Sequence, residues 1–184
     1  MKHTPEDSRA LGHVAYEAVK EFGGDVGNLR VSSSAIELDL LLDSKTNLAA
    51  ATRVLEQKLG PLLTLRELDT LGVQMEVEEA IREGVELFNE ERYWESHEAL
   101  EVAWRKASGA GKEVLQGIIL LAAALVHLQK NETAVALGVL GRAKSKLSGQ
   151  NSEYFGINIK VLEEKISRML TAGRPEFIKI EVKS

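Results

Sequence analysis

The hydropathy pattern of this chain predicts a mostly helical α+β protein, on three observations. Residues 77–170 repeat apolar positions at helical spacing with only short breaks. Residues 36–42 alternate apolar and charged side chains, and residues 177–183 alternate again at the end of the chain. The helical stretch reads as a C-terminal bundle of antiparallel hairpins. The alternating stretches read as a small N-terminal ferredoxin-like sheet that the C-terminal strand completes. Three segments follow: a small α/β domain over 1–72, a helical bundle over 73–173, and a returning strand over 174–184.

Thr4-Pro5-Glu6-Asp7 opens the first helix, with Thr4 as N-cap, proline in the first turn and acids that suit the helix dipole. Leu11, Val14, Ala15, Ala18, Val19 and Phe22 follow at helical spacing, and Gly23-Gly24 ends the run. Asp25 to Ser32 forms a first strand. Ile36, Leu38, Leu40 and Leu42 alternate with Glu37 and Asp39 in a second, buried on one face and wet on the other. A helix from Asn47 to Leu59 closes at Gly60-Pro61, and Leu62 to Leu68 reads as a third strand. Helix, strand, strand, helix, strand is a ferredoxin-like unit without its opening strand. Phe177 to Lys183 could supply that strand, because an unpaired tail strand leaves backbone groups without partners. A disordered tail, or a strand exchanged between protomers, is the alternative.

Five helices follow, over Val77–Asn89, Tyr93–Ala107, Lys112–Lys130, Glu132–Leu147 and Tyr154–Leu170. Leu128 to Ala134, with Leu137 and Leu140 after it, echoes Phe88 to Trp94 with His97 and Leu100. That faint repeat suits helical hairpins joined by the same tight turn. Val114 to Leu128 is apolar all round and short for a bilayer, so it reads as a central buried helix. Gly138 and Gly141 look placed for close helix contact.

The functional candidates sit in Phe88 to Trp104, which holds both tryptophans of the chain. At about 100° per residue, Tyr93, Trp104, His97, Glu101 and Trp94 fall within one arc of about a quarter turn. Ser96, Ala99 and Ala103 fall on another side, where a neighbouring helix can approach. Gln116 and His127 are the polar exceptions on the central helix. An antiparallel alignment predicts a Glu101–Gln116 hydrogen bond and places His127 at the Tyr93/Trp94 end of the same cleft. Tyr93, Trp94, Trp104, Gln116 and His127 are thus the pocket candidates, and His97 and Glu101 the catalytic or metal-ligating ones.

His97-Glu98-Ala99-Leu100-Glu101-Val102-Ala103-Trp104 resembles the hallmark of a family of bacterial and archaeal helical proteins, domain of unknown function 309: histidine, three residues, glutamate, two residues, an aromatic. Phe88-Asn89, Tyr93-Trp94, Leu115-Gln116-Gly117-Ile118-Ile119, Ala122-Ala123-Ala124 and His127 extend the resemblance over about Ala80 to Leu147. It implies an all-helical domain and a motif proposed to bind metal. It implies no particular reaction.

Three readings of the motif follow. In the first, His97 and Glu101 share a divalent metal ion, as residues four apart on a helix can, with Glu98 a supporting group; a catalytic ion asks for about three protein ligands. In the second, Glu101 orients His97 as a general base beside an aromatic pocket. In the third, the two are a buried hydrogen-bonded pair inside a non-enzymatic binding or scaffold module. Gly109-Ala110-Gly111-Lys112 lacks the spacing of a phosphate loop. His13 and Glu17 repeat the four-residue spacing without an aromatic frame, as a surface pair does.

Composition narrows the classes. A formal net charge of -5 argues against nucleic acid as a partner. With 0 cysteines, disulfides and thiolate metal sites are excluded. The polar start and the short apolar run predict a cytoplasmic protein without a membrane span, open to homo-oligomer formation.

Overall fold

The computed structural model describes residues 3–44, 47–65 and 75–183. They form two compact units, one built from Met1–Val73, the other from Gln74 onward apart from the turn at 129–131. The architecture is α+β and mostly α.

In the first unit a single 3-10 turn at Pro5–Asp7 leads into helix α1, Ser8–Val19. The Thr4 amide donates to Asp7 Oδ2 at 2.8 Å, which fixes the start. A second 3-10 turn ends at Gly23, whose φ of 68° is left-handed and admits the reversal into strand β1, Gly24–Val31. Strand β2, Ile36–Leu42, pairs antiparallel with it, Val26 opposite Leu40 and Gly24 opposite Leu42. The register shifts between Gly27 and Arg30, where Asn28 has φ 47°. Helix α2, Leu48–Leu59, follows. Val26, Leu40 and Leu42 pack, partly buried, against Ala18, Val19 and Ala51 from the two helices, although no residue of β2 is fully buried.

The order helix, strand, strand, helix is as expected. The third strand is not: residues 62–65 form no strand, and 66–68 lie outside the described residues. Leu62, Leu63 and Leu65 are exposed.

The second unit holds helices α3 (Val77–Asn89), α4 (Tyr93–Lys106), α5 (Gly109–Gln129), α6 (Thr133–Leu147) and α7 (Ile159–Ala172). By length and composition α5 could cross a membrane. Here Leu115, Ile118, Leu121, Ala122 and Leu125 are fully buried, so it is the central helix of the unit. The faint repeat is real at the turns. Glu91 and Asn131 are both left-handed, at φ 63° and 61°. In each turn an amide reaches back to the carbonyl five residues before it: Arg92 N to Leu87 O at 3.0 Å, Glu132 N to His127 O at 2.8 Å.

The close helix contacts lie elsewhere than at Gly138 and Gly141, where an added Cβ would meet nothing within 4 Å. They lie at Gly84 and Gly117, where a Cβ would come within 2.5 Å of Leu100 Cγ and Leu147 Cδ2 respectively.

Two further expectations are corrected. Tyr154 to Asn158 is not helical: β3 (Glu153–Tyr154) and β4 (Ile157–Asn158) form a hairpin around Phe155-Gly156, at φ 47° and 75°. Helix α7 starts after it, capped by Asn158 Oδ1, which accepts from Val161 N at 3.1 Å. The C-terminal segment lies in the helical unit and not on the N-terminal sheet, which among the described residues has two strands. Val182 bridges Ile157, and Asn89 meets the backbone of Ile180 on both sides: its Nδ2 donates to the carbonyl at 3.0 Å and its Oδ1 accepts from the amide at 2.7 Å. A side-chain amide and one bridge thus supply partners that a sheet edge was expected to supply.

Candidate functional site

Helix α4 carries the site, and its packing against α3 sets its rotation. Ser96 Oγ donates to the Gly84 carbonyl at 2.7 Å, and Leu100 fills the space over Gly84. Ser96, Leu100 and Ala103 are fully buried. With that face fixed inward, the arc of candidate residues runs outward from the core. Setting Tyr93 at about 0°, Trp104 falls at about 20°, His97 at about 40°, Glu101 at about 80° and Trp94 at about 100°. Exposure rises from one end to the other: Tyr93 is 0% exposed, Trp104, His97 and Glu101 are intermediate, and Trp94 is 41% exposed. The arc is a section from core to solvent.

The five residues therefore do not wall one pocket. Tyr93 belongs to the core, edge-on to Phe88 with centroids 4.9 Å apart and stacked on Phe177 at 5.9 Å. Its hydroxyl is buried without a hydrogen-bond partner among the described residues. Burial pushes its ionisation well above the ordinary phenol range, and the negative charge of Glu91 adds to the effect. Trp104 is covered by the Lys112 ammonium, 4.3 Å from the ring centroid. Trp94 lies parallel to the imidazole of His97, at 5.6 Å and 6°.

His97 Nε2 is 3.9 Å from Glu101 Oε1, an ion-pair distance and too long for a hydrogen bond. The other Glu101 oxygen accepts from Arg105 Nη2 at 2.9 Å. Glu101 does not bond Gln116; among the described residues Arg105 takes that place, because the four-residue spacing along α4 brings it alongside. His127 is likewise engaged elsewhere, its Nδ1 paired with Glu132 across the α5–α6 turn. His97 Nδ1 is buried with no hydrogen-bond partner among the described residues.

A resident metal fits these side chains poorly. Among the described residues no three of His, Cys, Asp and Glu converge on one point. Glu101 is shared with Arg105. The ring nitrogen that would be anchored by a neighbouring carbonyl or carboxylate in a metal-ligating histidine has no such partner. Nor is the motif a buried hydrogen-bonded pair, since both side chains reach solvent and stand 3.9 Å apart. Sequence reasoning gave Arg105, Lys112, Asn89 and Phe177 no part in the site. The Glu101/Arg105 spacing was a usable signal for the first, whereas the other three come from neighbouring elements.

No curated protein matches the chain. Residues 81–139, about a third of its length, match the model of a family described as "Domain of unknown function (DUF309)", and the matched segment carries Tyr93, Trp94, His97, Glu101 and Trp104.

Proposed function

We propose that the helical unit is a binding module and that the outer edge of α4 is its working surface. One observation carries the reading. Trp94, a large aromatic, is left 41% exposed on a helix whose opposite face is fully packed. It lies flat on His97 next to the Glu101–Arg105 pair. An exposed indole with a charged pair beside it suits a protein partner that buries the ring and adjusts to the charges around it. His97 and Glu101 then shape that surface and are not the ligands of a resident ion.

The test has two arms on the full chain. Elemental analysis of protein purified without a histidine tag or chelator is expected to find no stoichiometric metal. A photo-crosslinking amino acid in place of Trp94 is expected to give a discrete protein adduct in cells, lost when His97→Ala is added. The same reagent in place of the exposed Val135 on α6 is expected to give none. Stoichiometric metal that disappears in a folded His97→Ala, Glu101→Ala variant, or adducts equal at both positions, would refute the proposal.

A further inference from the structure

The C-terminal segment is seated in the helical unit as an extended peptide is seated on a receptor. Asn89 reads both the amide and the carbonyl of Ile180. Lys165 Nζ donates to the Lys179 carbonyl at 3.0 Å and to Glu181 at 2.8 Å. The Lys183 amide donates to the Gly156 carbonyl at 2.9 Å, and its ammonium meets Glu153 at 2.7 Å. Ile180 is buried and Phe177 stacks on Tyr93. Backbone bonds for affinity, with alternate side chains taken into the surface for selectivity, are how grooves hold added strands.

From this seating we infer that the groove also accepts residues 176–183 of a second copy of the chain, by exchange of the two C-terminal segments. The occupant follows from the fit: Glu153, Lys165 and Asn89 complement this segment in charge and in backbone pattern, and a second copy carries it. The link that must open is short. Helix α7 ends at Ala172 and is capped by Gly173, φ 62°, with Gly173 N bonded to Leu170 O and Arg174 N to Met169 O, and Pro175 follows. Swinging the segment out at this turn breaks the contacts named above, the two capping bonds and the Glu176 amide contact with Met169 Sδ, and leaves α7 intact. Every contact named above reforms in the exchanged pair, so the two arrangements differ mainly in the entropy of association. The tethered segment has an effective concentration on the order of millimolar, so exchange grows as the chain concentration approaches that range. In the exchanged pair the partner copy supplies the phenyl ring against Tyr93, at the head of the helix that carries the candidate site. The inference rests on the groove and is independent of the Trp94 surface.

The test uses the wild-type full chain. Unlabelled and heavy-isotope-labelled protein are mixed, incubated at increasing concentration, and treated with a zero-length carbodiimide, which joins Lys183 to Glu153. A control is the Lys146–Glu113 pair, 2.8 Å apart within the helical unit. The expected result is a mixed-isotope fraction at Lys183–Glu153 that rises with concentration and exceeds that at Lys146–Glu113 by about tenfold. Linkage of Lys183 to Glu153 within single-isotope chains only, equal mixing at both pairs, or no linkage of Lys183 to Glu153 would each overturn the inference.

Discussion

Replacing His97 and Glu101 by alanine, singly and together, separates a surface pair from a structural one. At 3.9 Å two full charges attract by about 1 kcal/mol in water and about 4 kcal/mol at an effective dielectric of about 20. Both side chains reach solvent, and the Arg105 guanidinium already holds the second Glu101 oxygen. The coupling between His97 and Glu101 should therefore fall below about 1 kcal/mol, the range of exposed pairs. A buried, satisfied pair would instead lose about 3–5 kcal/mol when one member is removed. His97→Ala also forfeits its stacking on Trp94, about 0.5–1.5 kcal/mol. Urea unfolding of the full chain at neutral pH measures all four corners of the cycle. Both tryptophans lie on α4, so indole fluorescence reports the helical unit alone. A coupling above about 2 kcal/mol would refute the surface reading of the pair and restore the structural one.

Gly84→Ala is a test of sign. Helix propensity alone would stabilise α3 by about 1 kcal/mol, but the added Cβ would sit 2.5 Å from Leu100 Cγ. Overpacking of about 1–3 kcal/mol should win and lower the urea midpoint of the helical unit. Tyr93→Phe removes a buried hydroxyl without a partner and should leave stability at neutral pH unchanged or raise it by up to about 1 kcal/mol. Because the folded phenol ionises later than the unfolded one, its contribution is full below the ordinary pKa of about 10 and is lost as pH rises above it toward the raised folded value. Alkaline unfolding of the phenylalanine variant should accordingly be shallower, as followed by circular dichroism against pH. Phe155→Asn places a residue tolerant of the left-handed region at φ 47° but gives up the edge-on contact with Tyr154 at 4.9 Å, so strain relief and lost ring contact, each about 1 kcal/mol, should offset and leave the melting temperature nearly unchanged.

Much of the fold follows from periodicity. The alternation in β2 and the helical runs of α3 to α7 are strong signals because each repeats over several residues. What escapes is set by contacts that leave no period. A hairpin with two-residue strands, β3 and β4, has nothing to alternate, and its Phe155-Gly156 turn puts a bulky aromatic where asparagine or glycine is the usual signal. The tail alternates as a strand does, yet its backbone is met by the Asn89 amide, the Lys165 ammonium and the Gly156 carbonyl, and no pattern distinguishes those side chains from solvent-facing polar residues. Gly138 and Gly141 have the spacing of a helix contact but face open space, while Gly84 and Gly117 are isolated and closely packed.

The candidate site shows the same limit at the scale of one helix. Spacing along α4 fixes the angles between Tyr93, Trp104, His97, Glu101 and Trp94, and those angles are kept. Spacing does not fix the phase, which is the direction of the arc relative to the core. That comes from α3, through the Ser96–Gly84 hydrogen bond and Leu100 over Gly84. Rotated inward by about 50°, half a residue step, the arc would bury His97 and Glu101 as a pair; rotated outward by as much, it would strip Tyr93 from Phe88 and Phe177. At the observed phase the imidazole stands at the boundary, with Nδ1 toward the interior and Trp94 over its face. The close contact at Gly84 thus decides whether the motif is core or surface, which makes the Gly84→Ala substitution a functional perturbation as well as a packing one: by pushing α4 off α3 it should change the exposure of Trp94, and a red or blue shift of the indole emission in the folded variant would read that displacement directly.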